Sequence, residues 1–232
     1  IQPAAIGLSD LSEGSLPAGP VDTEALFDAM HSGDGARVRG SLMAAYLAGH
    51  SIAKLCDGPV TASMHRMGEL WRHDPAGVFY EHRAVDLCVQ SISLLRLTIS
   101  RPASDQPIAV GGAGPGDPYL LPSLMATTVL ADVGFRDINL GPNTPIATLL
   151  EAVRRCKPAL VWISLSAIEN PDQLASQVRE ALEELTAMRT SLIIGGRAAE
   201  QLRLPPHPAL HRCGSMAELE AFARGVKTHI ES

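Results

Sequence analysis

The sequence predicts an α/β protein in which an N-terminal helix bundle is followed by a doubly wound, five-stranded parallel sheet. Three observations carry this reading. No strand-like run occurs before residue 107. The segment from Arg101 to Pro107 has the composition of a linker. Beyond it, short apolar runs and helical periods alternate, which is the pattern of strand–helix–strand units with right-handed crossovers. The boundaries drawn on this basis are a flexible lead-in at 1–21, a helical bundle at 22–99, a linker at 100–106 and a Rossmann-like domain at 107–232.

Each element has its own signal. Residues 1–21 are rich in Pro, Gly and Ser and carry no apolar period. Asp22 offers a cap ahead of Ala25, Leu26 and Phe27, and Ser32-Gly33-Asp34-Gly35 ends that helix. A second helix spans about Ala36 to Ala48, and a short one lies near Ile52–Cys56. Pro59 fits the first turn of another helix, where its missing N–H costs nothing; that helix carries Val60, Met64, Met67, Leu70 and Trp71. A long helix from about Val78 to Ile99 turns Val85, Leu87, Cys88, Ile92, Leu94 and Leu95 inward.

In the second half the strands read as Ile108–Gly111, Ile138–Leu140, Ala159–Ser164, Ser191–Gly196 and a weak fifth near Ala209–His211. The third is apolar nearly throughout, as a strand covered on both faces should be. The helices between them read as Leu120–Ala131, Ile146–Cys156 and Asp172–Met188, with Ala217–Val226 closing the chain. In such a sheet the ligand edge lies at the carboxyl ends of the strands.

The chain has 232 residues, enough for one large or two small cores, and 46% of them are hydrophobic, so wholesale disorder is excluded. A formal net charge of -6, from 19 basic and 25 acidic residues, argues against direct nucleic-acid binding. No apolar run approaches the length of a membrane span, and no signal peptide is visible. The missing initiator Met suggests a trimmed chain or a fragment. Cys56, Cys88, Cys156 and Cys213 are scattered with no C-x-x-C pair. They read as buried free thiols in a reducing compartment, which points to the cytoplasm.

The stretch Gly111-Gly112-Ala113-Gly114-Pro115-Gly116-Asp117 follows the first strand. It reads either as a tight strand–helix turn or as a dinucleotide site. The G-x-G-x-x-G spacing fails, because Asp117 stands at the third position and an acid there opposes a pyrophosphate. Asp117 reads as a helix cap, and Tyr119 stands at the ligand edge or packs as an aromatic with a satisfied hydroxyl.

Several stations then fall into one order: Asp117-Pro118-Tyr119-Leu120-Leu121-Pro122, Gly141-Pro142-Asn143-Thr144-Pro145, Ser164-Leu165-Ser166 and Gly195-Gly196. Trp71 precedes Glu81-His82 by nine intervening residues. A bundle plus these stations resembles the methionine-synthase-type cobalamin-binding modules, whose second domain is flavodoxin-like. The Trp-x9-Glu-His motif resembles that of the light-sensing MerR-type repressors. The resemblance runs from about Ala25 to Leu219 and does not extend to the repressors' DNA-binding domain.

The resemblance implies that Trp71, Glu81 and His82 cover the upper face of adenosylcobalamin. It also implies that Asp117, Tyr119, Leu121, Gly141, Thr144, Ser164, Ser166, Gly195 and Gly196 surround the ligand, the serines and the glycine pair lining its nucleotide tail. Each station has a plainer reading beside this one. Trp71 on an apolar helical face is also a core position, Glu81-His82 is also a surface pair, and Gly195-Gly196 also simply ends a strand.

Two departures matter. Where the family carries its lower-face histidine this chain has Tyr119, and Pro122 replaces the motif glycine. A neutral phenol, with a pKa near ~10, is a poor cobalt ligand. The repressors' histidine directly after the tryptophan is Arg72 here, with His73 one step on. His82, and after it His73, are therefore the candidates for any protein nitrogen on cobalt.

The implied function is a sensory or regulatory domain, not an enzyme. It binds a corrinoid or related tetrapyrrole between bundle and Rossmann-like domain and serves a light- or ligand-responsive transcription regulator. The expected partners are the tetrapyrrole and either a second copy of the chain or a regulator protein, with no membrane. The alternatives are a corrinoid carrier module for a methyltransferase, a haem- or biliverdin-binding domain, and a ligand-free interaction domain.

Overall fold

The computed structural model describes residues 21–70 and 76–231. The chain divides into two compact units, with the boundary between Ile99 and Ser100. The first unit contains α1 (Thr23–Ser32), α2 (Gly35–Leu47), α3 (Ile52–Leu55), α4 (Thr61–Leu70) and α5 (Gly77–Arg96). Asp22 caps α1, its carboxylate accepting from the amides of Glu24 at 3.0 Å and Ala25 at 3.3 Å. Asp34 does the same for α2 through the amide of Arg37 at 3.0 Å. Leu26, Met30, Leu42, Ile52, Met67, Cys88, Ile92 and Leu95 are fully buried. Arg83 on α5 donates to the His31 carbonyl and so ties α5 to the end of α1.

Two expectations for this unit are corrected. Pro59 does not open a new helix. The chain passes from α3 into α4 through one π-helical turn, Cys56–Val60, in which the Thr61 amide donates to the Cys56 carbonyl. The widened turn makes room for a residue that has no N–H to give. In α5 the buried stripe is Ala84, Leu87, Cys88, Ser91, Ile92 and Leu95. Val85 and Leu94 are only half-buried, because they lie on the flanks of that stripe. Trp71 and His73 lie outside the described residues, as does nearly all of the 1–21 lead-in.

The second unit is built on a parallel sheet of β1 (Ile108–Ala113), β2 (Arg136–Asn139), β3 (Leu160–Ser164), β4 (Ser191–Gly195) and β5 (Leu210–Cys213). The strand order is β2-β1-β3-β4-β5, the flavodoxin-like order. The helices α6 (Leu120–Val133), α7 (Ile146–Cys156), α8 (Pro171–Ala187) and α9 (Met216–Glu231) connect and close it. The first crossover moves one way along the sheet and the next two move the other way. Right-handed connections therefore put α7 and α8 on one face and α6 on the other. Helix α9 packs with α6.

The α7/α8 face is aliphatic. Val110, Val161, Ile163, Leu192 and Ile194 from the strands meet Leu149, Val153, Val178, Leu182 and Leu185 from the helices. Side chains alternate along a strand, so Gly111, Trp162 and Ser164 point to the α6/α9 face. The apolar third strand is thus covered on both sides, as its composition predicts.

Strand β1 runs on to Ala113, so Gly111 and Gly112 are strand residues and not part of a glycine turn. Their reason is close approach. A Cβ on Gly111 would stand 2.2 Å from the Trp162 ring, and one on Gly112 would stand 2.7 Å from Thr144 Oγ1. Asp117 is not the cap of α6 either. The N-cap is Tyr119, with no side-chain bond to the helix, and the Asp117 carboxylate is engaged elsewhere. No helix among the described residues is long and apolar enough to cross a membrane.

Candidate functional site

Three loops leave the carboxyl edge of the sheet, after β1, β2 and β3, and Asp117 joins them. Its side chain is fully buried. One carboxylate oxygen accepts from the Tyr119 amide at 3.0 Å, the other from the Ser166 amide at 2.5 Å. Its carbonyl accepts from the Asn143 amide at 2.8 Å. Asn143 answers with its side-chain oxygen, which accepts from the Gly116 amide at 2.8 Å. Both carboxylate oxygens are spent on backbone donors, so Asp117 shapes the edge.

The other predicted residues of this unit fall around that joint. Ser166 is half-buried, and its carbonyl accepts from Arg197 Nε at 2.9 Å. Thr144 is buried, and its hydroxyl donates to the Gly141 carbonyl at 3.1 Å. That same carbonyl accepts from the Ala113 amide at 2.9 Å, which links the ends of β1 and β2. Leu121 is buried in the first turn of α6. Tyr119 is 43% exposed, with the Arg197 guanidinium 5.3 Å from its ring centroid. It is a solvent-facing aromatic at the edge, and the packed-core reading of Tyr119 does not hold.

Ser164 differs from its neighbours. It is 6% exposed, and its hydroxyl oxygen is buried with no hydrogen-bond partner. Native proteins satisfy most buried polar atoms, so an orphan hydroxyl at a strand's carboxyl end is a group able to bond a ligand.

The glycine pair has a backbone explanation. A Cβ on Gly195 would stand 2.7 Å from the Cys213 carbonyl oxygen of β5. Gly196 has φ +103°, and a Cβ there would stand 2.5 Å from the Leu165 carbonyl oxygen. A larger side chain at Gly195 therefore strains β4 against β5.

Glu81 and His82 lie together in the second turn of α5, in the other unit. Glu81 is half-buried and His82 exposed. Among the described residues no group of three His, Cys, Asp or Glu side chains could hold a metal ion. The cysteines are free; Cys56, Cys88 and Cys213 are buried, and Cys156 is half-buried. Burial pushes the Cys88 thiol up to about 12 and the Cys213 thiol to about 11, so neither ionises readily.

Three residues of the edge escaped the sequence reading. Arg197 is the first side chain after the glycine pair, and that position was its only signal. Asn143 sits within the Gly141–Pro145 turn, whose pattern does not display the bond its side chain makes to the Gly116 amide. Trp162 was absorbed into an apolar strand, and nothing in the sequence separates a core tryptophan from one beneath a binding edge.

No family model matches the chain, and no curated protein matches it. Solved structures do. The monomethylamine corrinoid protein of Methanosarcina barkeri superposes with a TM-score of 0.64 at 16% identity, over 87% of this chain and 96% of that one. A chain of the methanol:cobalamin methyltransferase complex MtaBC from the same organism gives 0.45 at 17% identity, over 98% and 85%. A cobalamin-binding protein of Desulfitobacterium hafniense DCB-2 gives 0.38 at 18% identity, over 91% and 98%. At these identities the first likeness is one of fold, and its coverage exceeds either unit alone. The chain therefore shares its fold with that protein.

Proposed function

We propose that the chain is a sensory or regulatory domain that binds a corrinoid, cobalamin, or a related tetrapyrrole at the carboxyl edge of its sheet. The observation that carries this is the buried, partnerless hydroxyl of Ser164 at that edge, in a fold shared with a corrinoid protein. The residues there fit such a group. Asp117 holds the loops open in a fixed shape, Ser164 offers a donor, and Tyr119 with Arg197 offers an aromatic face and a cation at the rim.

A bound corrinoid would supply a coloured cobalt centre. Everything else would fall to the chain's own groups: Ser164 and Ser166 would orient the ligand, Leu121 and Thr144 would exclude water, and Tyr119 would offer an aromatic ring and no nitrogen. The upper-face roles of Trp71, Glu81 and His82, and the choice of the adenosyl form, rest on the sequence resemblance. So do response to light, control of transcription, assembly with a second copy or a regulator, and a cytoplasmic setting.

The second reading is a corrinoid carrier for a methyltransferase. Tyr119 disfavours it, since the carrier pattern calls for histidine at that position. Titration with cobalamin, haemin and biliverdin, followed by visible absorption, tests the proposal. A saturable shift with cobalamin is expected, and Tyr119→His should then add the signature of a lower-face nitrogen. A shift with haemin or biliverdin alone names a different tetrapyrrole. No shift with any of the three overturns the proposal.

A further inference from the structure

We infer that Trp162 is a specificity-determining residue that closes the floor of this site, so that an admitted corrinoid keeps its nucleotide tail outside the layer between sheet and helices. The inference rests on the corrinoid reading and narrows it. Val161 and Ile163 belong to the aliphatic cluster with α7 and α8. Trp162 and Ser164 therefore share the opposite face, towards α6 and α9.

Trp162 is 2% exposed and heads the fully buried side chains ranked by volume. It stands in register with Gly111 of β1. A Cβ on Gly111 would lie 2.2 Å from indole Cδ2 and 2.6 Å from Cε2, so the ring lies across the neighbouring strand. Two residues along a strand rise about 6–7 Å. Below Ser164 the layer is thus closed, at about that depth, by a bicyclic ring already in place. A second fused bicycle with its ribose does not fit beneath the serine unless the indole leaves.

The orphan hydroxyl of Ser164 supports a shallow site. Among the described residues four buried side-chain polar atoms lack partners, and two of them are Ser164 Oγ and Trp162 Nε1. Both donors sit on one strand face, two residues apart. Ser164 Oγ, at the strand's end, suits a small acceptor such as an amide oxygen at a macrocycle's periphery, whereas Trp162 Nε1 lies below it within the closed layer.

The test compares cobalamin with cobinamide, which lacks the nucleotide tail, by visible titration of the wild-type chain and of Trp162→Ala and Trp162→Phe. Wild type should bind the two with affinities less than tenfold apart. Trp162→Ala should open the layer and favour cobalamin by tenfold or more, while Trp162→Phe keeps a ring in place and the wild-type ratio. If Trp162→Ala fails to fold, the wild-type ratio decides. A wild-type preference for cobalamin of tenfold or more overturns the inference and leaves the corrinoid reading standing. If neither corrinoid binds, both fall.

Discussion

The two faces of the sheet are built on opposite principles. The α7/α8 face is an aliphatic cluster of valines, leucines and isoleucines. The α6/α9 face mixes apolar residues with buried hydroxyls. Ser123 Oγ donates to Asn139 at 2.8 Å, and Thr127 bonds Asp137. Trp162 and Ser164 add two orphan atoms to that face. One side holds the unit together through burial. The other side gives up some burial for polar groups, and it ends at the edge where the candidate site lies. The difference suggests where substitutions should hurt folding and where they should hurt binding.

The largest effect should come from the aliphatic face. Leu182→Ala removes a 2% exposed side chain from that cluster and should cost roughly 2–5 kcal/mol in urea unfolding. The ligand spectrum of the folded fraction should not move. A spectral change would break the division between the faces.

Next comes the edge itself. Gly196→Ala meets a left-handed backbone and the Leu165 carbonyl together. It should cost about 1–3 kcal/mol, read by thermal unfolding. An unchanged midpoint would show that the β4 turn relaxes freely.

Ser164→Ala sharpens the contrast. Removing a buried hydroxyl that has no partner should leave the stability of the ligand-free chain unchanged or raise it slightly, within about 1 kcal/mol. Corrinoid affinity should fall severalfold in the same variant. A clear loss of stability would mean that Ser164 is satisfied within the fold.

The smallest effect belongs to the outer surface of α7 and α8. Arg154 forks onto Glu184 at 2.7 and 2.8 Å, and Arg155 pairs with Glu151 at 2.7 Å. Hydrogen bonds from these guanidinium groups hold both carboxyls below their ordinary range. Their contribution is present above the ordinary carboxylate pKa and is lost as pH falls through the lowered folded values. Because the groups are exposed, the loss should be slight and should vanish in high salt. An acid transition insensitive to salt would contradict this.

Much of the architecture was legible in the sequence, because period and punctuation agree. Ile146–Cys156 was read at its observed limits, with Pro145 before it and Lys157 in a left-handed conformation after it. The glycine-rich run misled, because Gly111 answers to Trp162 on β3 and Gly112 to Gly141 and Thr144 in the loop after β2, which no local pattern displays. Pro59 misled because a π-turn hides inside a helical period. At the edge, Asp117 was found as a position but not as a joint. Its partner Ser166 lies 49 residues away, and only the parallel pairing of β1 and β3 brings them together. Trp162 gains its meaning from the same pairing, through Gly111, and Arg197 from the pairing of β3 and β4, through Ser166.

The Asp117 joint has a consequence in time. Three loops are pinned before any ligand arrives, so association at the sheet edge leaves little chain to order. Binding there should be a single kinetic phase, first order in ligand and without a slow conformational step, and differences in affinity among ligands should appear mainly in how fast they leave. Loosening the joint with Asp117→Asn, which leaves one of two backbone amides facing another donor, should bring a slower second phase into the stopped-flow trace.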